Sequence, residues 1–165
     1  MQLFIMTFGK LKTPGLREAA DYYKKITSTW TSIQEIELKP LSVPNKSAAT
    51  RTRIQEKEGE ILLERLDHVA KARHLFFLLD ELGKTQNSEG WAQQVKEWES
   101  SGTAAISLCI GSSLGFSQAV RAKAHGRLSL GPQTLPHELA RIVLLEQIYR
   151  AYSILKGHPY HNSGT

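Results

Sequence analysis

Reactive side chains are concentrated near the C-terminal end of the sequence. Two histidines and a tyrosine surround a proline in Gly157-His158-Pro159-Tyr160-His161. Two histidines are an incomplete ligand set for zinc, so the pattern does not favour a metal site. Imidazole and phenol groups can also stack on nucleobases or handle protons. On residue chemistry alone, this segment favours contact with RNA over metal binding.

Arg141 occupies an unusual place in the last predicted helix, Pro136 to Lys156. At ~100° per residue, it is the only charged residue on a broad apolar arc formed by Leu144, Leu145, Ile148, Ala151, Tyr152 and Leu155. A buried unpaired charge is very costly, so Arg141 needs a partner. That partner is either a structural glutamate or a phosphate or carboxylate of a ligand, and the sequence leaves both open.

Three loops follow strand-like runs and together predict a ligand crevice, because ligands bind beyond the carboxyl ends of strands in open α/β sheets. They are Asp80-Glu81-Leu82-Gly83-Lys84, Gly111-Ser112-Ser113-Leu114-Gly115 and Leu130-Gly131-Pro132-Gln133-Thr134-Leu135-Pro136-His137. The glycines in the second loop match neither the dinucleotide fingerprint nor a Walker loop, which disfavours a nucleotide-binding oxidoreductase. Asp80 and Glu81 could form an acid/base pair, although solvated loop acids are the simpler interpretation.

The apolar pattern alternates between strand-like and helical periodicity. Strands are predicted over Gln2 to Phe8, Ser32 to Leu38, His74 to Asp80, Ala104 to Gly111 and Gly126 to Leu130. Helices are predicted from a Thr13-Pro14 cap, from Ser47 to Leu66, after Asn87-Ser88, after Phe116 and from Pro136 to Lys156. This alternation predicts an α/β fold with a mainly parallel sheet flanked by helices, in one domain spanning residues 1–165.

The charge distribution favours a polyanionic partner. The net charge is +5, and after Glu99 two acidic residues face six lysines and arginines and four histidines. Such a stretch suits a phosphate backbone, although a solvated basic face would look the same. No apolar run approaches the ~20 residues of a membrane helix, and the lone Cys109 excludes an internal disulfide. We expect a cytoplasmic protein without membrane contact.

Three segments resemble the C-terminal signature of the large-subunit ribosomal RNA methyltransferase H family, a branch of the SPOUT methyltransferases. They are Thr134-Leu135-Pro136-His137, the run from Arg141 to Ala151, and His158-Pro159-Tyr160-His161. The resemblance covers the whole chain, since Gln2 to Lys12, Lys57 to Glu60 and Leu79 to Glu89 also fit the family pattern.

This resemblance implies S-adenosylmethionine as cofactor, bound mainly by backbone in a deep C-terminal trefoil knot. By position, the cofactor-binding residues would be Leu79, Gly111, Leu130, Gly131, Pro132, Gln133, Thr134 and Leu135. It also implies a homodimer, which agrees with a final helix that is apolar on all sides. The implied reaction is methylation of N3 of a pseudouridine in 23S rRNA on the assembled ribosome.

N3 of pseudouridine loses a proton during methylation, so a general base or a nearby positive charge would help the reaction. The candidate catalytic residues are Arg141, His137 and His161, and the candidate RNA-binding residues are Arg150, His158 and Tyr160. No metal is expected.

The loop after Ile110 departs from the family pattern of two glycines, a polar step and another glycine. Here Ser112 replaces the second glycine and Leu114 replaces the polar step. If Ser112 needed a positive φ, the loop would be strained and cofactor affinity reduced. The alternative function is therefore a catalytically weakened RNA- or ribosome-binding homologue.

Overall fold

The central strands of the molecule are apolar on both faces because helices cover the sheet on both sides. The computed structural model describes residues 1–70 and 72–162. Their elements are β1 (Gln2–Phe8), α1 (Leu16–Thr27), β2 (Ser32–Leu38), α2 (Ala48–Val69), β3 (His74–Thr85), α3 (Ser88–Ser100), β4 (Ala105–Ile110), α4 (Gln118–Lys123), β5 (Gly126–Ser129) and α5 (His137–Leu155).

Within this described part of the chain, five strands form one sheet in the order β2-β1-β4-β3-β5, and every neighbouring pair is parallel. Side chains alternate across each strand. Leu3 and Ile5 of β1 face a cluster with α1, α3 and α5, whereas Phe4 and Met6 face a cluster with α2 and α4. The predicted α/β fold with a parallel sheet flanked by helices is confirmed.

Cys109 lies inside β4, at the centre of the sheet. It is fully buried, and burial raises the pKa of its thiol far above the ordinary value. Its neighbour Ser107 is also buried and contacts Nε2 of His74 at 2.9 Å. The middle of the sheet therefore has a structural rather than a reactive role.

The strand predicted over His74 to Asp80 continues to Thr85, so the prediction of a loop over Asp80 to Lys84 is wrong. Leu128 of β5 is the register partner of both Leu79 and Lys84, and the residues between them bulge out of the ladder. Gly83 permits this return, because a Cβ there would lie 2.8 Å from the backbone of Leu128. A close backbone approach of this kind is a known reason for glycine within a strand.

The predicted cap of α1 is also wrong. Helix α1 begins after Gly15, whose φ of 82° lies in the left-handed region that glycine adopts without steric cost. Thr13 has a different partner: its N–H and hydroxyl both donate to the carboxylate of Glu138 in α5, each at 3.0 Å. The loop after β1 is thereby attached to the start of α5.

Other boundaries agree with the prediction within a few residues. Ser47 and Asn87 cap α2 and α3 through their side chains, as expected from their types. Helix α2 continues to Val69 rather than ending at Leu66. Among the described residues, no helix combines the length and apolarity needed to cross a membrane.

Candidate active site

A cavity of about 670 Å³ lies between the bulge of β3 and the carboxyl ends of β4 and β5. Its walls come from the three loops predicted to form a crevice. Seven of the eight predicted cofactor-binding residues line it, namely Leu79, Gly111, Leu130, Gly131, Gln133, Thr134 and Leu135, whereas Pro132 does not. The volume lies in the ~300–1,000 Å³ range of small-molecule sites.

Three glycines in the wall of this cavity leave space that a side chain would otherwise occupy. A Cβ on Gly111 would lie 3.3 Å from the backbone of Gly115. Gly115 and Gly131 have φ values of 69° and 136°, which side chains with a Cβ rarely adopt. At these positions no side chain separates the backbone of the two loops from the cavity.

Asp80 and Glu81, at the bulge inside β3, line the same cavity. Glu81 is exposed, as a solvated acid would be, whereas the solvated interpretation is wrong for Asp80. The Asp80 side chain is only 9% exposed and forms an ion pair with Arg121, another lining residue. Burial would raise the pKa of Asp80, but hydrogen bonds from the Leu82 N–H and Arg121 outweigh it and lower the pKa. Asp80 is therefore ionised at neutral pH.

Glu81 is tied to the opposite loop. Its carboxylate accepts a hydrogen bond from the Thr134 hydroxyl, while its carbonyl oxygen accepts one from Ser129 at 3.4 Å. In the sequence, both acids follow an apolar run directly. That position pointed to the ligand-binding end of the sheet.

Comparison with known proteins identifies the family. A family model described as a predicted SPOUT methyltransferase matches residues 1–161. The ribosomal RNA large subunit methyltransferases H of Clostridium botulinum (strain Loch Maree) and Latilactobacillus sakei are 37% and 39% identical to the chain, over 98% of its length and 99% of theirs. This chain belongs to the large subunit methyltransferase H family.

A solved structure supports the fold of this family member. A probable methylase family protein from Haemophilus influenzae aligns with a TM-score of 0.57, covering 99% of this chain and 71% of that chain. At 14% identity, the likeness concerns the fold alone.

Ser112, the departure from the family pattern, is accommodated without backbone strain. Among the described residues, Arg73 is the only non-glycine residue with a positive φ. The Ser112 hydroxyl donates to Glu58 of α2 at 2.5 Å and accepts from the Leu114 N–H at 3.2 Å. Gln55, also on α2, donates to the Leu114 carbonyl at 2.7 Å. Helix α2 thus holds the loop from outside the cavity.

Glu58 was not found from the sequence as part of this arrangement. It is 2% exposed, and its second oxygen accepts the Leu41 N–H at 3.1 Å. A buried glutamate on an amphipathic helix was the available signal, since buried carboxylates require partners.

Arg141 is 1% exposed, and structural glutamates are its partners. Its Nε donates to Glu35 at 3.1 Å and its Nη2 to Glu37 at 2.7 Å, both on β2, while Nη1 donates to Thr7 at 3.4 Å. Arg141 does not line the cavity. The structure therefore does not support the predicted catalytic role, because this guanidinium is already engaged with two carboxylates.

Glu35 has further cationic neighbours in α1. Arg17 and Lys24 lie 2.7 Å and 3.2 Å from its second oxygen. Burial alone would raise the pKa of Glu35, but hydrogen bonds from Arg141 and Arg17 outweigh it and lower the pKa to about 2. The cluster joins α1, β2 and α5.

His137 is the one candidate catalytic residue that lines the cavity, at the first position of α5. The C-terminal candidates lie elsewhere and contact one another. Arg150 lies over the Tyr160 ring at 4.8 Å, and His161 contacts Arg150 at 3.5 Å and Glu89 at 3.0 Å.

His158 packs edge-on against Trp30, with ring centroids 5.8 Å apart. Arg150 comes thirteen residues after His137, or about 20 Å along a helix. Within one chain, the tail residues and the cavity are therefore separate sites. Among residues 1–70 and 72–162, no cluster of three metal-ligating side chains occurs.

We predict that Ser112→Ala loosens the cavity loop. The variant removes the hydrogen bonds to Glu58 and Leu114, a loss of about 1 kcal/mol. Hydrogen–deuterium exchange of a peptide spanning residues 111–116 should become about fivefold faster. The matched control is Ser113→Ala, since Ser113 is exposed. Equal exchange in both variants would contradict the role of α2 in holding this loop.

We predict that Glu35→Gln lowers the free energy of unfolding by about 3 kcal/mol at pH 7, as for other broken buried ion pairs. The folded-state pKa of Glu35 is depressed, so its contribution is present above about pH 4.5 and is lost as the pH falls towards 2. The difference between wild type and variant should shrink across this window in urea titrations.

The control for this experiment is Asp21→Asn. Asp21 also pairs with Arg17 and Lys24, but its side chain is 56% exposed. Removing it should cost less than about 1 kcal/mol. A cost for Glu35→Gln that stays constant between pH 7 and 3 would refute the assigned pairing.

Proposed function

We propose that this chain transfers the methyl group of S-adenosylmethionine to N3 of a pseudouridine in 23S rRNA, on the assembled ribosome. The observation that carries the proposal is the cavity at the strand ends. Seven residues at positions expected to hold the cofactor surround it, in a chain whose relatives are named ribosomal RNA large subunit methyltransferase H.

The residues of the cavity suit S-adenosylmethionine. Leu79, Leu130 and Leu135 supply apolar surface for the adenine ring, and the glycine-containing loops supply peptide N–H and C=O groups. Arg121 pairs with Asp80, and Glu81 adds a second carboxylate, so the wall holds more acidic than basic side chains around a site for a cationic ligand. Ser112 fits this site without strain, which supports a functional cofactor site over a weakened homologue.

S-adenosylmethionine supplies an electrophilic methyl carbon when bound, so the protein mainly has to position the two reactants. His137 borders the cavity and is the side chain best placed to accept the N3 proton as the new N–C bond forms and the C–S bond breaks. Arg141 is a positioning residue. It fixes α5 one turn after His137 by binding Glu35 and Glu37.

We further propose that residues 1–165 form one SPOUT domain whose cavity loops belong to a C-terminal trefoil knot. Family membership supports this organisation. Ribosomal RNA as substrate also implies a cytoplasmic location. The last three residues of this span lie outside the described part of the chain.

A homodimer is proposed for two reasons. Helix α5 retains apolar side chains away from the core, among them the 41% exposed Leu139. The tail candidates His158, Tyr160 and His161 do not reach the cavity of their own chain, so their participation in the reaction requires a second copy. Sedimentation equilibrium should give about twice the 18.5 kDa of one chain. A monomer at micromolar concentration would contradict this proposal.

The reaction is tested with ribosomes from a bacterial strain that lacks this modification. Purified protein and methyl-labelled S-adenosylmethionine should label 23S rRNA, and mass spectrometry should locate the methyl group on N3 of a pseudouridine. We expect His137→Ala to lower kcat about 100-fold, a typical effect for a proton-transfer group. His68→Ala, an exposed histidine on α2, is the control.

Calorimetric titration with S-adenosylmethionine separates the two candidate functions. Wild-type protein should bind the cofactor, and absence of binding at millimolar concentration would refute methyl transfer. Ribosome binding without cofactor binding would then identify a binding homologue instead.

A further inference from the structure

A second cavity, of about 440 Å³, lies at the beginning of α2. Ala48, Arg51, Thr52 and Gln55 line one side at helical spacing, so they share one face of α2. Lys46 comes from the preceding loop. Leu114 closes the other side and belongs to the loop after β4, which also borders the candidate active site.

The charges around this cavity are not compensated. The stretch from Lys39 to Gln55 contains four lysines and arginines and no acidic residue. Within residues 1–70 and 72–162, neither Lys46 nor Arg51 forms an ion pair, and Arg51 is exposed. The first turn of α2 has no acidic residue. Cations near the positive end of a helix are unfavourable, and an anion bound among them would relieve that repulsion.

The chemistry of the lining selects the class of ligand. Small-molecule cofactor sites are lined mainly by apolar side chains, whereas this cavity presents an ammonium, a guanidinium, a hydroxyl and an amide. The planar fork of arginine matches phosphate oxygens, and lysine adds a point charge. These groups suit a phosphate better than an apolar ligand.

The position of the cavity connects it with the reaction. Gln55, which lines it, donates to the Leu114 carbonyl at 2.7 Å. Glu58, one turn further along α2, accepts from Ser112, which borders the candidate active site. A phosphate held by Lys46 and Arg51 therefore lies on the outer side of the same short loop whose inner side faces the methyl donor.

We infer that the cavity formed by Lys46, Arg51, Thr52 and Gln55 binds a backbone phosphate of the substrate rRNA beside the target nucleotide. The inference rests on the proposed function and adds a substrate-positioning site to it. The inference places an RNA contact on α2, whereas the sequence pattern predicts RNA contacts in the basic C-terminal segment.

The test compares two double variants of the full-length protein. Lys46→Ala/Arg51→Ala removes the cavity cations, and Lys57→Ala/Arg65→Ala removes two exposed cations further along α2 that do not line the cavity. Methylation kinetics are measured with unmodified ribosomes, and cofactor affinity is measured by calorimetry. Cosedimentation with ribosomes at several potassium chloride concentrations gives binding independently of methyl transfer.

We expect the first variant to raise the KM for ribosomes about tenfold, with kcat and cofactor affinity within twofold of wild type. The slope of log affinity against log salt should fall by about one, because the variant loses its contact with one phosphate. The second variant should match wild type. Equal behaviour of the two variants, whether both are normal or both weakened, would overturn the inference.

Two further outcomes are distinguishable. If wild-type protein fails to methylate ribosomes, the proposed function fails, while cosedimentation still decides whether Lys46 and Arg51 contact rRNA. Titration with uridine monophosphate tests a free nucleotide as the phosphate source. Loss of that binding in the first variant, with normal ribosome binding, would assign the cavity to a small ligand and overturn the inference.

Discussion

The geometry of the candidate site depends on a buried cluster of charges, in which Arg141 of α5 pairs with Glu35 and Glu37 of β2. Arg141 is almost fully buried, and its ion pairs with Glu35 and Glu37 offset the cost of burying its charge. These contacts attach α5 to β2 one turn after His137, which borders the cavity. A hydrophobic residue could fill the same space, but it would lose the directional attachment to an edge strand.

Much of the fold follows from local sequence patterns. β1 and β2 have the predicted boundaries, and Ser47 and Asn87 cap their helices. These features depend on apolar periodicity and on side chains that bond their own backbone, both of which are local. The segment after Asp80 was mistaken for a turn because its return to β5 depends on backbone packing around Gly83, which periodicity does not record.

The loops of the candidate site could be predicted from the sequence, but the contacts that support them could not. Loops at strand ends were recognisable, and the resemblance assigned residues within them, most of which meet at one cavity. The partners of Arg141 were not predictable, since Glu35 is more than one hundred residues away in sequence. The support of Ser112 by Glu58 was also hidden, because a serine for a glycine suggests strain until its φ and its hydrogen bonds are known.

Cys109 gives the molecule an internal reporter of its own integrity. It is the single cysteine of the sequence, and it lies fully buried in β4, between β1 and β3 in the centre of the sheet. A reagent such as iodoacetamide can reach this sulfur only when the sheet itself separates. The rate of alkylation therefore reports how often the whole sheet opens. Ligands that stabilise the folded state should lower this rate.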